Sequence, residues 1–306
     1  MRYFLVISMI ILFGSGNAQS NMFYGIIPDS TDHSYEALLN FVEHQYEEKE
    51  DIAKFFYYWM ASNISYNQNE ANGVIDSSTS SQIKTPLEVF DSKTAVCSGY
   101  SSLYKLFLNE FDIECEVVNG YAKRKQGVID RSGMLVNHSW NAVQLDGKWF
   151  LVDPTWASPI GDEPTISEYY FKTPPTLFLF NHFPEIPYWQ LNDNPLSIEE
   201  FKSLPEVNAS YFELGFDDIL PKFEVYDDRF RLTIGASSQW KPVLLKSSLG
   251  KKYEPLRYRR KRKKGTFEFD FSLDEINSNV VRLDATKQLD YNTSVTQTQL
   301  MAFVIH

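Results

Sequence analysis

Cysteine is scarce in this chain of 306 residues, which contains only Cys97 and Cys115. Two thiols cannot hold a disulfide-rich scaffold together, so the fold has to depend on a packed core. Apolar residues make up 43% of the chain and aromatic residues 15%, which is enough to build such a core. Glycine and proline, at 14 each, exclude a collagen-like or low-complexity chain.

Long apolar stretches are also missing. The run from Tyr3 to Phe13 is shorter than the roughly 20 residues that a membrane-spanning helix needs. It follows a basic residue and precedes small residues at Gly16 and Ala18, which is the pattern of a cleaved signal peptide. We therefore predict a signal peptide at residues 1–18, export to the periplasm or the extracellular space, and no transmembrane helix in the mature chain.

Positive charge is in deficit, since the formal net charge is −11. Nucleic-acid-binding proteins usually have the opposite balance, so we expect no nucleic-acid partner. The exception is the basic run Arg257 to Lys264, which could bind an anionic polymer or surface. Because the whole chain is acidic, the sequence favours a solvated hairpin end for this run.

The hydrophobic pattern divides the chain into a mixed N-terminal part and a strand-rich C-terminal part. Ser34 and Asp51 are the predicted N-caps of the first two helices, whereas residues 154–205, rich in proline and aromatics, are predicted to be irregular. From about residue 215, short strand-like runs between turn residues indicate a small β-sandwich. We predict domains at 19–214 and 215–306, the second of Ig-like type. Helical spacing of apolar residues predicts helices over 34–46, 51–63 and 98–111.

Cys97 lies where the third of these helices is predicted to begin. The backbone N–H groups and the dipole at a helix start stabilise a thiolate, which is the nucleophilic form of cysteine. Gly99 leaves room for a close approach. Taken alone, a buried structural cysteine is the favoured interpretation of Cys97, and core packing is favoured for Cys115. A disulfide between the two would block the nucleophile, and we do not expect one.

Two predicted strands, 138–145 and 148–153, flank an Asp146-Gly147 turn and indicate a β-hairpin. With a two-residue turn, His138 lies diagonally across from Asp153 on the same sheet face, within reach of its side chain. An aspartate beside a histidine holds one tautomer and stabilises the imidazolium. A slip of one residue in the register would place the two on opposite faces. Alone, His138 fits a hydrogen-bonded core histidine at least as well.

Four segments, in this order, resemble the transglutaminase-like superfamily. They are 94–104 (TAVCSGYSSLY), 117–123 (VVNGYAK), 137–145 (NHSWNAVQL) and 148–156 (KWFLVDPTW). Downstream, HFP at 182–184, WQL at 189–191 and FKSLP at 201–205 are similar to its kyphoscoliosis-peptidase-like branch. The resemblance implies an α+β fold with a papain/transglutaminase-like core, in which a helix-start cysteine packs on an antiparallel sheet that carries histidine and aspartate.

The resemblance further implies thiol acyl transfer, with Cys97 as nucleophile, His138 as general base and Asp153 as the group that orients the base. Such chemistry needs an oxyanion stabiliser, for which the Cys97 backbone N–H is a candidate. Aromatic core packing is the favoured interpretation of the tryptophans of this region. The candidate oxyanion and cleft side chains are Tyr66, Trp59, Trp140 and Trp156.

We therefore predict an exported cysteine peptidase that hydrolyses peptide or protein amide bonds through a Cys97 thioester. A non-catalytic scaffold or binding module, a protein-crosslinking transglutaminase and a deamidase stay open as alternatives. We expect no cofactor and, because no animal-type calcium loop is present, no metal. A protein partner could bind through the C-terminal sandwich. His182 fits polar lining of the site, although a structural histidine is favoured.

Overall fold

A computed structural model of the chain describes residues 34–71, 84–123, 136–158, 166–216, 220–237, 239–247, 252–263, 265–276, 280–289 and 293–303. The predicted signal peptide at 1–18 lies outside these residues. The chain divides into two compact units. The helical unit takes the described residues within 34–113 and 154–166, and the sheet unit takes the described residues within 114–153 and 167–303. The domain boundary that we predict near residue 214 falls inside the sheet unit and stays a prediction.

Aromatic side chains form the core of the helical unit. Phe56 stacks on Phe107 with ring centroids 4.3 Å apart, and Trp59 stacks on Phe90 at 5.4 Å. These rings come from three helices and bury the face that each helix turns inward. The elements of the unit are α1 (Tyr35–Gln45), α2 (Lys49–Asn63), β1 (Ser65–Tyr66), α3 (Gln68–Ala71), α4 (Pro86–Ser92), β2 (Thr94–Ala95), α5 (Cys97–Asn109) and α6 (Pro154–Ala157).

Local capping explains where these helices begin. The Ser34 hydroxyl accepts a hydrogen bond from the backbone N–H of Ala37, as predicted. The prediction of Asp51 as an N-cap was wrong, because α2 begins two residues earlier and Asp51 lies in its first turn. A carboxylate there still favours the helix through its dipole, which explains the misleading signal. Thr85 and Glu88 form a capping box at the start of α4.

The sheet unit begins with a five-stranded antiparallel sheet in the order β6-β5-β4-β3-β7. Its strands are β3 (Cys115–Ala122), β4 (His138–Leu145), β5 (Lys148–Val152), β6 (Phe171–Thr173) and β7 (His182–Pro184). Asp146 and Gly147 have φ angles of 50° and 73°, which a tight two-residue hairpin turn requires. Asn141 therefore lies opposite Val152, and the predicted register is confirmed.

The two edge strands of this sheet contradict the prediction that residues 154–205 are irregular. Both β6 and β7 are three residues long and lie within or beside proline-containing segments. Strands this short carry no readable period-2 pattern. Gly120 allows β7 to pair beside β3, since a Cβ there would collide with the backbone oxygen of Phe183 and lie 2.5 Å from the Trp140 ring.

Short elements connect the central sheet to the C-terminal strands. They are α7 (Pro175–Phe178), a 3₁₀ turn (Pro187–Gln190), α8 (Ile198–Ser203), β8 (Glu206–Val207), α9 (Ala209–Tyr211) and a π-type turn (Phe212–Phe216). Ser197 and Glu200 form a second capping box at the start of α8. Lys123 Nζ donates hydrogen bonds to the carbonyl oxygens of Phe201 and Leu204, at 2.8 and 2.7 Å, near the end of α8.

Two further sheets share one apolar core, as the strand-like runs after residue 215 predict. Their orders are β13-β14-β10-β9 and β12-β11-β15-β16-β8. Phe230 of the first sheet stacks on Phe303 of the second with ring centroids 5.4 Å apart. The new strands are β9 (Lys222–Tyr226), β10 (Arg229–Gly235), β11 (Lys241–Ser247), β12 (Glu254–Pro255), β13 (Arg259–Lys263), β14 (Thr266–Ser272), β15 (Val280–Gln288) and β16 (Ser294–Phe303).

Most of the basic run forms the edge strand β13, and all five of its residues are exposed. The strand forms a hairpin with β14, in which Lys263 Nζ lies 2.6 Å from a Glu268 carboxylate oxygen. This arrangement agrees with the solvated hairpin end that the sequence favours. Among the described helices, none combines the length and the apolarity needed to cross a bilayer.

Candidate active site

Cys97 is the first residue of α5 in the helical unit. The N-cap, Val96, contributes no side-chain hydrogen bond, although its carbonyl accepts the backbone N–H of Tyr100 at 3.1 Å. The thiol of Cys97 is half-buried and lies at the positive end of the helix dipole. This position lowers the free energy of a thiolate relative to a thiol.

A short parallel ladder places Tyr66 beside the start of this helix. Tyr66 of β1 pairs with Ala95 of β2, two residues before Cys97, and its side chain is 40% exposed. Gly99 keeps the first turn of α5 against the ladder, because a Cβ there would lie 2.7 Å from the Ala95 Cβ. Trp59, the other upstream candidate, is fully buried in the aromatic core of the helical unit.

His138 and Asp153 are in direct contact in the sheet unit. His138 Nε2 lies 2.7 Å from Asp153 Oδ2, and the two residues are 7% and 0% exposed. Burial alone would raise the pKa of Asp153, but the charge and the hydrogen bonds of His138 and His182 outweigh it and hold this pKa well below its usual value. Because the carboxylate is ionised, Nε2 of His138 must donate, and Nδ1 then carries the lone pair that can take up a proton.

A second histidine shares the same carboxylate oxygen. His182 Nε2 lies 3.0 Å from Asp153 Oδ2, and its ring stacks on Phe178 with centroids 4.0 Å apart. Burial lowers the pKa of His182 to about 4, against the opposing hydrogen bond and charge of Asp153, so the ring is neutral near pH 7. Sequence reasoning did not connect His182 with Asp153. The only sequence signal at His182 was the HFP segment, which does not indicate that Asp153 is its hydrogen-bond partner.

Trp140 packs against both imidazoles. Its ring centroid lies 5.9 Å from that of His138 and 5.1 Å from that of His182, and the side chain is fully buried. Trp140 therefore serves the core packing that the sequence favours for it. Its indole Nε1 makes no hydrogen bond within the described ranges. The remaining cleft candidate, Trp156, is half-buried on α6 in the helical unit.

Comparison with known families identifies the superfamily that part of this chain matches. A family model described as the transglutaminase-like superfamily matches residues 37–154, which include Cys97, His138 and Asp153. Residues 37–154 are a transglutaminase-like domain. The resemblance inferred from the ordered motifs is thereby confirmed, as is the α+β fold class with a strand-rich C-terminal part.

Relatives of the transglutaminase-like domain include kyphoscoliosis peptidases. The mouse protein is 30% identical over 167 residues, which cover 51% of this chain and 24% of that protein. The human protein is 32% identical over 140 residues, which cover 42% of this chain and 21% of that protein. The matched part thus spans about a quarter of these relatives. A solved structure described as a TGase is 20% identical and covers 51% of this chain and 42% of its own, with a TM-score of 0.31.

Among the described residues, one cluster of metal-binding residue types lies at this site. His138 and Asp153, with His182 just outside the matched range, offer ligand atoms that lie within 4.8 Å of one another. The contacts of 2.7 and 3.0 Å are hydrogen bonds from imidazole N–H groups to a carboxylate, and they account for the cluster without an ion. The absence of a metal stays a prediction.

The second cysteine of the transglutaminase-like domain is part of its core. Cys115 is 3% exposed, and its sulfur accepts a hydrogen bond from Asn141 Nδ2 at 3.4 Å. This placement agrees with the packing interpretation. Neither cysteine forms a disulfide in the described structure, so a thiol-reactive probe has two chemically distinct targets. A half-buried thiol at a helix start and a buried thiol in a strand should differ in reactivity.

Proposed function

We propose that this chain is an exported cysteine-dependent hydrolase of peptide or protein amide bonds, with Cys97 as nucleophile, His138 as general base and Asp153 as orienting group. The observation that carries the proposal is the buried, ionised Asp153 bonded to His138 Nε2. It leaves Nδ1 of His138 as the basic nitrogen. Export rests on the signal-peptide pattern at 1–18, and the peptidase name of the relatives supports an amide substrate.

In the first half of the reaction, His138 Nδ1 takes the proton of the Cys97 thiol. The thiolate then attacks the amide carbonyl carbon, forming a carbon–sulfur bond while the C=O electron pair moves to oxygen. When the tetrahedral intermediate collapses, the carbon–nitrogen bond breaks and the leaving amine takes the proton from the His138 imidazolium. The products of this half are a Cys97 thioester and a free amine.

In the second half, water attacks the thioester while His138 takes one of its protons. Collapse of this intermediate breaks the carbon–sulfur bond, releases a carboxylic acid and returns the proton to sulfur. If an amine replaces water, the same steps give a crosslink instead. The oxyanion of both intermediates needs donors, for which we propose the Cys97 backbone N–H together with the Tyr66 hydroxyl.

Alkylation of the folded protein by iodoacetamide tests the proposal directly. We expect Cys97 to be modified at neutral pH much faster than Cys115, because its thiolate is stabilised by the helix start and by His138. Peptide mass spectrometry at timed intervals measures both rates. Cys97→Ser and Cys115→Ala are the matched controls, of which only the first should abolish the fast phase.

Equal rates at the two cysteines, or no modification of Cys97, would refute the proposal and favour the non-catalytic scaffold.

An experiment with substrate is needed to decide whether water or an amine accepts the acyl group from the Cys97 thioester. Wild-type protein incubated with a peptide library and a primary amine should yield cleaved peptides and an acyl adduct on Cys97, which Cys97→Ser cannot form. If amine-linked products formed in place of cleaved peptides, the activity would be crosslinking and not hydrolysis.

A further inference from the structure

Asp153 Oδ2 accepts hydrogen bonds from two histidines, of which the proposed mechanism uses only one. His138 Nε2 lies at 2.7 Å and His182 Nε2 at 3.0 Å from this oxygen. We propose that His182 is a positioning residue, whose Nε2–H holds the Asp153 carboxylate in the orientation that also receives His138. This inference rests on the proposed roles of Cys97 and His138. It adds His182, which is not one of the three proposed catalytic residues, as a residue that supports them.

The place of Asp153 in the chain explains why a second donor matters. Asp153 directly follows β5, at the point where the chain leaves the sheet, and its backbone N–H donates to the Tyr170 carbonyl at 2.9 Å. A carboxylate turns easily about its last side-chain bond, because that torsion has broad minima. Two N–H donors on one oxygen restrict this rotation more than one donor does, since any turn then weakens both bonds.

His182 is itself held firmly enough to act as such a support. It begins β7, pairs with Ala122 of β3, and is 1% exposed. The Phe178 ring stacks on one face of the imidazole, and Trp140 meets it edge-on at 5.1 Å. A side chain enclosed in this way keeps a single rotamer, so its N–H points at Asp153 permanently.

Burial keeps His182 a neutral donor, because the loss of solvent around the ring outweighs the Asp153 carboxylate, whose charge favours the imidazolium. The titratable groups that face it are Asp153 and His138 at the carboxylate, and Tyr170, whose ring centroid lies 6.1 Å away. A backbone hydrogen bond at Phe178 also acts on the ring, but the ionised carboxylate of Asp153 is the stronger acceptor, so the neutral ring favours the Nε2–H tautomer. His182 thus donates without adding a charge that would compete with the imidazolium formed on His138 during the reaction.

Two amide substitutions separate positioning from packing. The Gln nitrogen in His182→Gln can reach about where Nε2 lies, whereas the Asn nitrogen in His182→Asn stops short of Asp153. Both variants place an amide in the same buried site, so their effects on stability should be similar. We expect His182→Asn to slow Cys97 alkylation at neutral pH by about ten- to a hundredfold and His182→Gln by only a few-fold.

The measurements are the pH profile of Cys97 alkylation and the proton NMR spectrum of the downfield imidazole N–H region. Wild-type protein should show two such resonances, and each variant only one, from His138. Equal alkylation rates and pH profiles in wild type and His182→Asn, or equal losses in both variants, would overturn the positioning role. An unreactive Cys97 in the wild type would instead refute the proposed function, while two downfield resonances would still support the shared carboxylate.

Discussion

The side chain of Asp153 is fully buried, and a buried carboxylate is stable only when it is hydrogen-bonded. Both histidines that satisfy it depend on its charge for their tautomers. The Asp153 carboxylate therefore determines which nitrogen of each histidine carries the proton. A neutral replacement of the same shape should leave the fold in place while removing the reason for His138 to keep its proton on Nε2.

We predict that Asp153→Asn lowers the rate of Cys97 alkylation and of peptide cleavage by about a thousandfold or more, as loss of the correct histidine tautomer does in other triads. Asp91→Asn, at an exposed position of α4, is the matched control and should keep wild-type rates. Stopped-flow alkylation with mass analysis gives both rates. A loss of less than tenfold in Asp153→Asn would contradict the orienting role of this carboxylate.

At this scale, part of the site could be predicted because it depends on local chemistry. An Asp-Gly pair specifies a two-residue turn, the turn fixes the register, and the register brings His138 to Asp153. The link between Asp153 and His182 spans 29 positions and depends on β7 joining β3. Nothing local in the sequence specifies that pairing, so the second histidine could not be assigned.

Among the elements, β13 is distinctive because its polar surface lies at a sheet edge. Proteins protect such edges from pairing with other chains by placing charges on them. Arg259 and Lys261 lie on one face of the strand, opposite Asp270 and Glu268 of β14. The cross-strand carboxylates offset part of the positive charge, while the cations oppose the approach of a further strand.

We predict that Arg259→Thr combined with Lys261→Thr increases self-association, because threonine favours strands but brings no charge to the edge. The control is Lys148→Thr combined with Lys202→Thr, at exposed positions away from this edge, which also takes the formal charge from −11 to −13. Sedimentation velocity over a concentration series compares the two. If both double variants self-associated equally, the cations of β13 would not be what protects this sheet edge from pairing.

The elements that could be predicted from the sequence have a regular hydrophobic pattern or a recognisable cap or turn, and the elements that could not be predicted lack these signals. Helix α1 has an apolar stripe at helical spacing and a recognisable N-cap, and the central hairpin has a recognisable Asp-Gly turn. Strand β13 lacks apolar residues entirely, and the first half of β16 is mostly polar and mostly exposed, so neither has the alternation that marks a strand. Both strands form because a neighbouring strand, β14 or β15, is already in place to pair with them. Their structure therefore depends on the rest of the sheet and cannot be predicted from their own sequence.

Across the described residues, three buried groups, Lys123, Asp153 and His182, change stability with pH in the same direction. Burial lowers the pKa of Lys123 to about 7 and that of His182 to about 4, and the histidines hold the pKa of Asp153 below its usual value. In each case the unfolded chain binds a proton over a pH range in which the folded chain does not. Acidification therefore favours unfolding within each range.

For His182 the range runs from the unfolded pKa of 6.5 down to the folded pKa of about 4. Above this range the ring is neutral in both states and its contribution to stability is complete; as the pH falls through it, roughly 3 kcal/mol of the free energy of unfolding is lost. We predict that His182→Gln flattens the pH dependence over this interval, because the variant has no proton to bind there. Urea unfolding followed by tryptophan fluorescence at several pH values measures the slope.

The exposed histidine of α1 supplies the control, since His44→Gln removes an imidazole without touching the buried carboxylate. That variant should keep the wild-type slope, which separates the buried site from a general effect of losing a histidine. If His182→Gln and wild type showed parallel curves between pH 4 and 6.5, His182 would have to be charged in the folded state. A cation at that position would compete with His138 for Asp153, so the same curves also test the neutral donor on which the positioning role depends.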